Sequence, residues 1–162
     1  MEMTESPDGE PFAAPVAGAR IVREHPGLSD YLALYRAVGE PLQWDQRLGM
    51  SHGALRHLLG DNATYVHVLR ANDRAVGLCE FVGVGEAEVE LTNFGLISEF
   101  QGKRLGPYLL DHSLRINLVA GSVPCLAAHR HQRSSWRAID ISARWLQAIF
   151  AAHRKLSGLT IR

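Results

Sequence analysis

Cysteine is scarce in this chain: Cys79 and Cys125 are the only two in 162 residues. So few cannot build a disulfide framework. No apolar run is long enough for a membrane span or a signal-peptide core. Net charge is missing as well. Seventeen basic residues balance seventeen acidic ones, so no whole-molecule field draws the protein to nucleic acid or to an anionic membrane. Nucleotide-binding signatures are also absent: there is no G-x-x-x-x-G-K-[ST], and no G-x-G-x-x-G follows a strand. His129 and His131 have no cysteine or carboxylate cluster near them, so no metal is expected. The expectation from these absences is a reduced, cytoplasmic protein with no nucleic-acid or membrane partner.

What is present is enough apolar material, 46% of residues, to bury one sizeable core. The charges that cancel overall are segregated. Residues 1–121 carry 10 basic and 16 acidic groups, a balance of −6, whereas residues 122–162 carry 7 and 1, a balance of +6. The character of the chain changes near Gly121. Residues 1–18, rich in Pro, Gly and acidic side chains, read as a flexible leader.

Between these ends the elements alternate. Residues 19–24 read as a strand. Leu28, Tyr31, Leu32 and Tyr35 have helical spacing, with Ser29 or Asp30 as a start signal and Gly39 with Pro41 as a stop. A second helix starts at Ser51 as its cap and runs through Leu55, Leu58 and Leu59 to Gly60. Two β-rich runs separated by "ANDR" read as a hairpin turning at Asn72 and Asp73. "EAEVELTNFGLI" is a third such run, and "GPYLLDHSLRINLV" places Leu110, Leu114 and Leu118 on one helical stripe.

The loop joining those last two, "EFQGKRLGPYLL", is richer in hydrogen-bonding groups than a turn requires. A helix N-terminus carries unpaired N–H groups and roughly half a positive charge, so a glycine-containing strand-to-helix loop can cradle a phosphate. Lys103 and Arg104 add cationic donors, and Gln101 can either fix the loop or donate to a phosphate oxygen. An ordinary turn with solvated charges is the competing reading.

The stretch resembles the signature of the GNAT superfamily, the acyl-CoA-dependent N-acetyltransferases: Gln or Arg, two variable residues, Gly, one variable residue, then Gly or Ala. Gln101, Leu105 and Gly106 fit, and Arg104 stands where the family usually has glycine. The order of elements over residues 19–120 also resembles that family. The resemblance implies an α+β fold with a mostly antiparallel sheet flanked by helices, and acetyl-CoA as co-substrate. It implies that Leu96 and Ile97 offer main-chain groups to the pantetheine arm. The diphosphate would lie on the loop formed by Gln101, Gly102, Lys103, Arg104, Leu105, Gly106 and Pro107. Pro107 suits a first helical turn, where its missing amide would be unpaired anyway.

Attack on a thioester needs a neutral amine and therefore a base. Glu90 matches the family's carboxylate position, six residues before Leu96. Simple alternation places Glu90, Thr92, Phe94 and Leu96 on one face, among apolar neighbours that would raise a carboxylate's pKa. A Glu paired with an arginine at the rim is the bland alternative, and Glu80 on the adjacent strand is the second candidate. By the same resemblance, residues 39–48 border the acceptor pocket. There Trp44 and Glu40 could meet a cationic amine, or Trp44 could simply pack a helix corner.

After Gly121 the likeness stops. The family continues with a strand, a helix and a Tyr often used as general acid, yet residues 122–162 contain no tyrosine. If the gene is read one base later from about Val123, residues 125–136 can become Val-Trp-Leu-His-Thr-Ala-Thr-Asn-Asp-His-Pro-Gly, and residues 140–147 Ile-Tyr-Gln-Arg-Ala-Gly-Phe-Lys. The C-terminal strands are therefore expected to be atypical or missing through a shifted reading frame. Sequencing codons 115 to 130 checks this: an intact frame with no family-like pattern one base over removes it. As written, residues 134–155 read as a helix with Trp136, Ile139, Ala143, Leu146, Ile149, Phe150 and His153 on one stripe.

The expected activity is direct acetyl transfer from acetyl-CoA to a small-molecule amine. The alternative is a non-catalytic acyl-CoA-binding or interaction protein derived from a truncated or frameshifted relative of that family. A homodimer is left open.

Overall fold

In a computed structural model of the chain, residues 9–86 and 89–119 are described, with side chains to residue 117. The tail expected to be helical from about 134 to 155 and the altered C-terminal strands lie outside them. The elements follow the order β1 (Ala19–Glu24), α1 (Leu28–Gly39), a 3-10 turn (Glu40–Leu42), α2 (His52–Gly60), β2 (Tyr65–Ala71), β3 (Arg74–Val82) and β4 (Glu90–Leu96). A second 3-10 turn (Ser98–Phe100) and α3 (Leu105–Val119) complete it. The four strands form one antiparallel sheet in the order β1-β2-β3-β4. This is an α+β fold. No helix among the described residues is long and apolar enough to cross a membrane.

Local chemistry explains most element ends. Ser51 caps α2, its hydroxyl accepting from Ala54 N at 3.2 Å. The β2–β3 hairpin turns where Asn72 and Asp73 adopt φ of 50° and 68°, the paired left-handed conformation that a two-residue hairpin needs. The start of α1 differs from expectation. Gly27 occupies the cap position and no described side chain caps that end, so neither Ser29 nor Asp30 does the work assigned to it.

The two faces of the sheet are covered differently. On one face α1 packs over Leu78 and Glu80 of β3, and a Cβ at Gly95 would lie 2.6 Å from Val38 Cγ1 of α1. On the other, a Cβ at Gly77 would meet Leu96 at 2.6 Å and Leu109 of α3 at 3.2 Å. The core runs through both faces, from Tyr31, Tyr35 and Val38 to Leu105, Leu109 and Leu110.

The stretch expected to be loose is held near its end. Phe12 N donates to Asp111 Oδ2 at 3.1 Å, and His112 Nε2 donates to Phe12 O at 2.8 Å. Phe12 and Val16 also pack on the core.

His67, fully buried on the α3 face opposite Cys79, has both ring nitrogens without a partner among the described residues. Burial, aided by the charge of Arg23, pushes its pKa down to about 4. The unfolded chain takes up this proton below about pH 6.5, whereas the folded one resists until about pH 4. Stability is therefore expected to fall as pH drops from 6.5 towards 4, by about 3 kcal/mol from this residue. Urea melts across that range check it: the same slope in His67→Leu would assign the loss elsewhere.

Candidate functional site

The loop between β4 and α3 is built from three local decisions. Ile97 turns the chain out of the strand, and its carbonyl accepts from Phe100 N at 2.9 Å as Ser98–Phe100 winds a 3-10 turn. Gln101 then sends its side-chain amide back to the Leu96 carbonyl at 3.1 Å. Of its two sequence readings, the loop-fixing one is what the geometry contains. Gly102 follows at φ +75° and Arg104 at φ +59°, which together swing the chain into α3 at Leu105.

The consequence is a group of free amides. Gln101 N is spent on Ser98 O and the Lys103 N–H closes a hydrogen-bonded turn over Gln101–Gly102, but the N–H groups of Gly102, Arg104, Leu105 and Gly106 donate to no described group. They precede a 15-residue helix whose dipole adds positive potential at the same place. Pro107 lies in the first turn and contributes no amide. Lys103 Nζ stands 4.7 Å from the Phe100 ring centroid, and its side chain and that of Arg104 face solvent.

Arg104 answers the question raised by its replacing glycine. The position does require a left-handed backbone, and arginine adopts it at a cost of roughly 1–2 kcal/mol. Arg104→Gly removes that strain and adds about 0.5–1 kcal/mol of glycine entropy. The expected net gain is about 0.5–1 kcal/mol in urea unfolding; a loss would mean that the guanidinium holds the loop.

The strand beside the loop needs one correction. Ile97 N donates to Val76 O at 3.0 Å, and its carbonyl is the one taken by Phe100. Ile97 thus has no N–H to offer an incoming chain. Leu96, by strand alternation, turns its main-chain groups to the edge of β4 that no described strand covers, with its carbonyl already held by Gln101.

A second correction concerns Glu90. Register slips by one residue between β3 and β4: Glu80 lies opposite Asn93, but Phe81 lies opposite Leu91. The extra residue, Thr92, is a β-bulge, and it breaks the alternation on which the apolar placement of Glu90 rested. Phe94 and Leu96 face α3. Glu90, opposite Val82, shares the α1 face with Glu80, is half-buried, and makes no hydrogen bond or ion pair with a described residue.

Glu80 is the reverse case. It is fully buried, and each oxygen is used: Oε2 accepts from Tyr31 Oη at 2.5 Å, while Oε1 accepts from Arg47 Nη2 at 2.5 Å and Thr92 Oγ1 at 2.9 Å. Burial, with the carboxylate charge behind it, pushes the Tyr31 hydroxyl pKa up. Burial opposes the charge on Arg47, but Glu80 more than offsets it and the guanidinium pKa rises. Arg47 is the residue that sequence reasoning missed. It is one of several scattered arginines, and nothing local points 33 residues along the chain to its partner.

In the acceptor segment, Trp44 packs a corner. Its ring lies 5.3 Å from that of Tyr35 and fills the space over Gly39. Glu40 is exposed. Among the described residues no group of three or more His, Cys, Asp or Glu could hold a metal ion.

No family model and no curated protein sequence matches the chain. Solved structures do. An aminoglycoside acetyltransferase from an uncultured soil metagenomic sample, in complex with trehalose, superposes with TM-score 0.61 at 14% identity over 82% of this chain and 87% of its own. AAC(6′)-Iy, in complex with the bisubstrate analogue CoA-S-monomethyl-acetylneamine, gives 0.56 at 15% identity over 81% and 88%. A GNAT-family acetyltransferase from Streptococcus pneumoniae gives 0.52 at 18% over 78% and 85%. The sheet, its flanking helices and the loop ahead of α3 therefore have the fold of the GNAT acetyltransferases.

Proposed function

We propose that this chain is an acetyl-CoA-dependent N-acetyltransferase acting on a small amine. The observation that carries the reading is the group of amides at Gly102, Arg104, Leu105 and Gly106, unbonded among the described residues, ahead of α3 and beside the edge of β4 that no described strand covers. Such a group suits a diphosphate: charge-assisted N–H bonds are worth about 1.5–3 kcal/mol each, and the helix dipole acts in the same direction. Exposed Lys103 and Arg104 add mobile cations without having to be ordered beforehand. The AAC(6′)-Iy complex, which carries a CoA-based analogue on a similar fold, also favours this reading.

Glu90 is the proposed base. It shares a face with the acceptor segment and is free of the partners that tie up Glu80. It takes a proton from the amine, directly or through water. The neutral nitrogen then attacks the thioester carbonyl, the tetrahedral intermediate gives its extra N–H proton to solvent and collapses, and the C–S bond breaks to release CoA as thiolate. An alkyl thiol with a pKa of roughly 8.5 leaves readily in that form, so a tyrosine acid is dispensable. Domain limits of 19–121 for the catalytic core, with a separate basic tail, belong to the same proposal.

Removing the diphosphate from the ligand tests the cradle. Calorimetry is expected to show acetyl-CoA binding at least about a hundredfold tighter than S-acetylpantetheine, the equivalent of two such bonds. Equal affinities would leave the loop as an ordinary turn. Thiol release across an amine panel separates a transferase from a binding protein that does not turn over.

A further inference from the structure

The segment between the first 3-10 turn and α2 delivers a cation to the middle of the sheet. Residues 43–51 form neither helix nor strand. The segment opens with Gln43 at φ 56° and is anchored where Arg47 N donates to Tyr35 Oη at 3.4 Å. From there the Arg47 side chain, 11% exposed, reaches the fully buried carboxylate of Glu80 and stands over it.

Arg47 fits this seat poorly. An arginine placed to lock a carboxylate grips it with two parallel N–H bonds. Here a single nitrogen, Nη2, reaches Glu80, while Nη1 turns to Met50 Sδ at 3.7 Å and the guanidinium also interacts with the Tyr31 hydroxyl. Nε is buried with no partner among the described residues, and an orphaned donor is costly. The carboxylate, in contrast, is well prepared, with Tyr31 and Thr92 orienting its oxygens. Glu90 lies on the same face, opposite Val82 and so diagonal to Glu80. Such diagonal positions are roughly 7–8 Å apart. Of these two carboxylates, only Glu80 is paired with a cation among the described residues.

From this arrangement we infer that Glu80 is a cation seat in the acceptor site and that Arg47 is its tethered, displaceable occupant. The acceptor then carries two cationic nitrogens separated by a few methylenes, as in a short diamine. One nitrogen replaces the Arg47 guanidinium on Glu80, and the other is presented to Glu90 for acetylation. The inference rests on the transferase reading for the second nitrogen but not for the first. Because an occupied seat reduces apparent affinity by the fraction of protein that is open, Arg47 acts as a built-in competitor that favours dications able to displace it.

Full-length protein and Arg47→Ala are compared with 1,4-diaminobutane and butylamine, by thermal shift and by steady-state acetylation. A displaceable occupant predicts that Arg47→Ala lowers the diamine KM at least about tenfold with little change in kcat. The diamine should also raise the Tm of the variant more than that of the native protein. A purely structural Arg47 would raise KM or reduce kcat, and equal Tm shifts would likewise overturn the inference. If Arg47→Ala does not fold, the native protein decides: diamine binds at least about tenfold tighter than butylamine and Glu80→Gln abolishes the difference, or the inference fails. Diamine-selective stabilisation without turnover of any amine would keep the seat and remove the transferase reading.

Discussion

Glu80→Ala is expected to lower the free energy of unfolding by about 3–5 kcal/mol, the usual cost of leaving one member of a buried ion pair without its partner. Three donors converge on this carboxylate, from α1, from the α1–α2 connection and from the bulge in β4. Its removal leaves a guanidinium with 11% of its side-chain surface exposed facing a void, and the Tyr31 hydroxyl loses its acceptor. A domain of this size has about 5–15 kcal/mol in total, so the variant should unfold in dilute urea. Replacing both charges, as Arg47→Met with Glu80→Leu, should restore much of the loss, because a well-packed apolar pair commonly matches a buried salt bridge. Urea melts of the three proteins measure this directly. A deficit under about 1 kcal/mol for Glu80→Ala would mean that water reaches the carboxylate.

Glu90→Gln should have the opposite profile: a large kinetic loss on an intact fold. Amide for carboxylate is nearly isosteric, and Glu90 has no bond to a described residue that the change would break. Its removal as base is expected to reduce turnover by about 10²–10⁴-fold, the range for positioned proton transfer. Affinity for acetyl-CoA should be maintained, because the amides at 102–106 lie at the far end of β4. Steady-state rates on a reactive amine, with calorimetry on the same preparation, check both halves. Turnover within about threefold of native would move the role to another group or to solvent.

The sequence carries some of this arrangement and conceals the rest, for reasons visible in single residues. Apolar spacing and turn chemistry are local, so the helix from Leu28, the Ser51 cap and the Asn72–Asp73 turn could be read directly. The loop motif was legible because its free amides depend on a contiguous run ending in a helix. Alternation failed at Thr92 because a bulge is fixed by pairing with β3, which no strand reports about itself. The Arg47–Glu80 contact was hidden for a similar reason. It spans 33 residues and two elements, and neither residue has an unusual neighbourhood in the chain. The capping of α1 by Gly27 shows the remaining limit: Ser29 and Asp30 are good capping types two and three residues too late.

The hold that Phe12 has on α3 bears on how the protein should be handled. Composition places the edge of the folded unit at residue 18, yet both main-chain groups of Phe12 are clasped by Asp111 and His112. A protein trimmed at that apparent edge would strip a strap from the very helix whose first turn offers the free amides. Weak coenzyme retention by such a shortened protein would then be an artefact of the trimming, and assays are best run on chains that begin well ahead of Phe12.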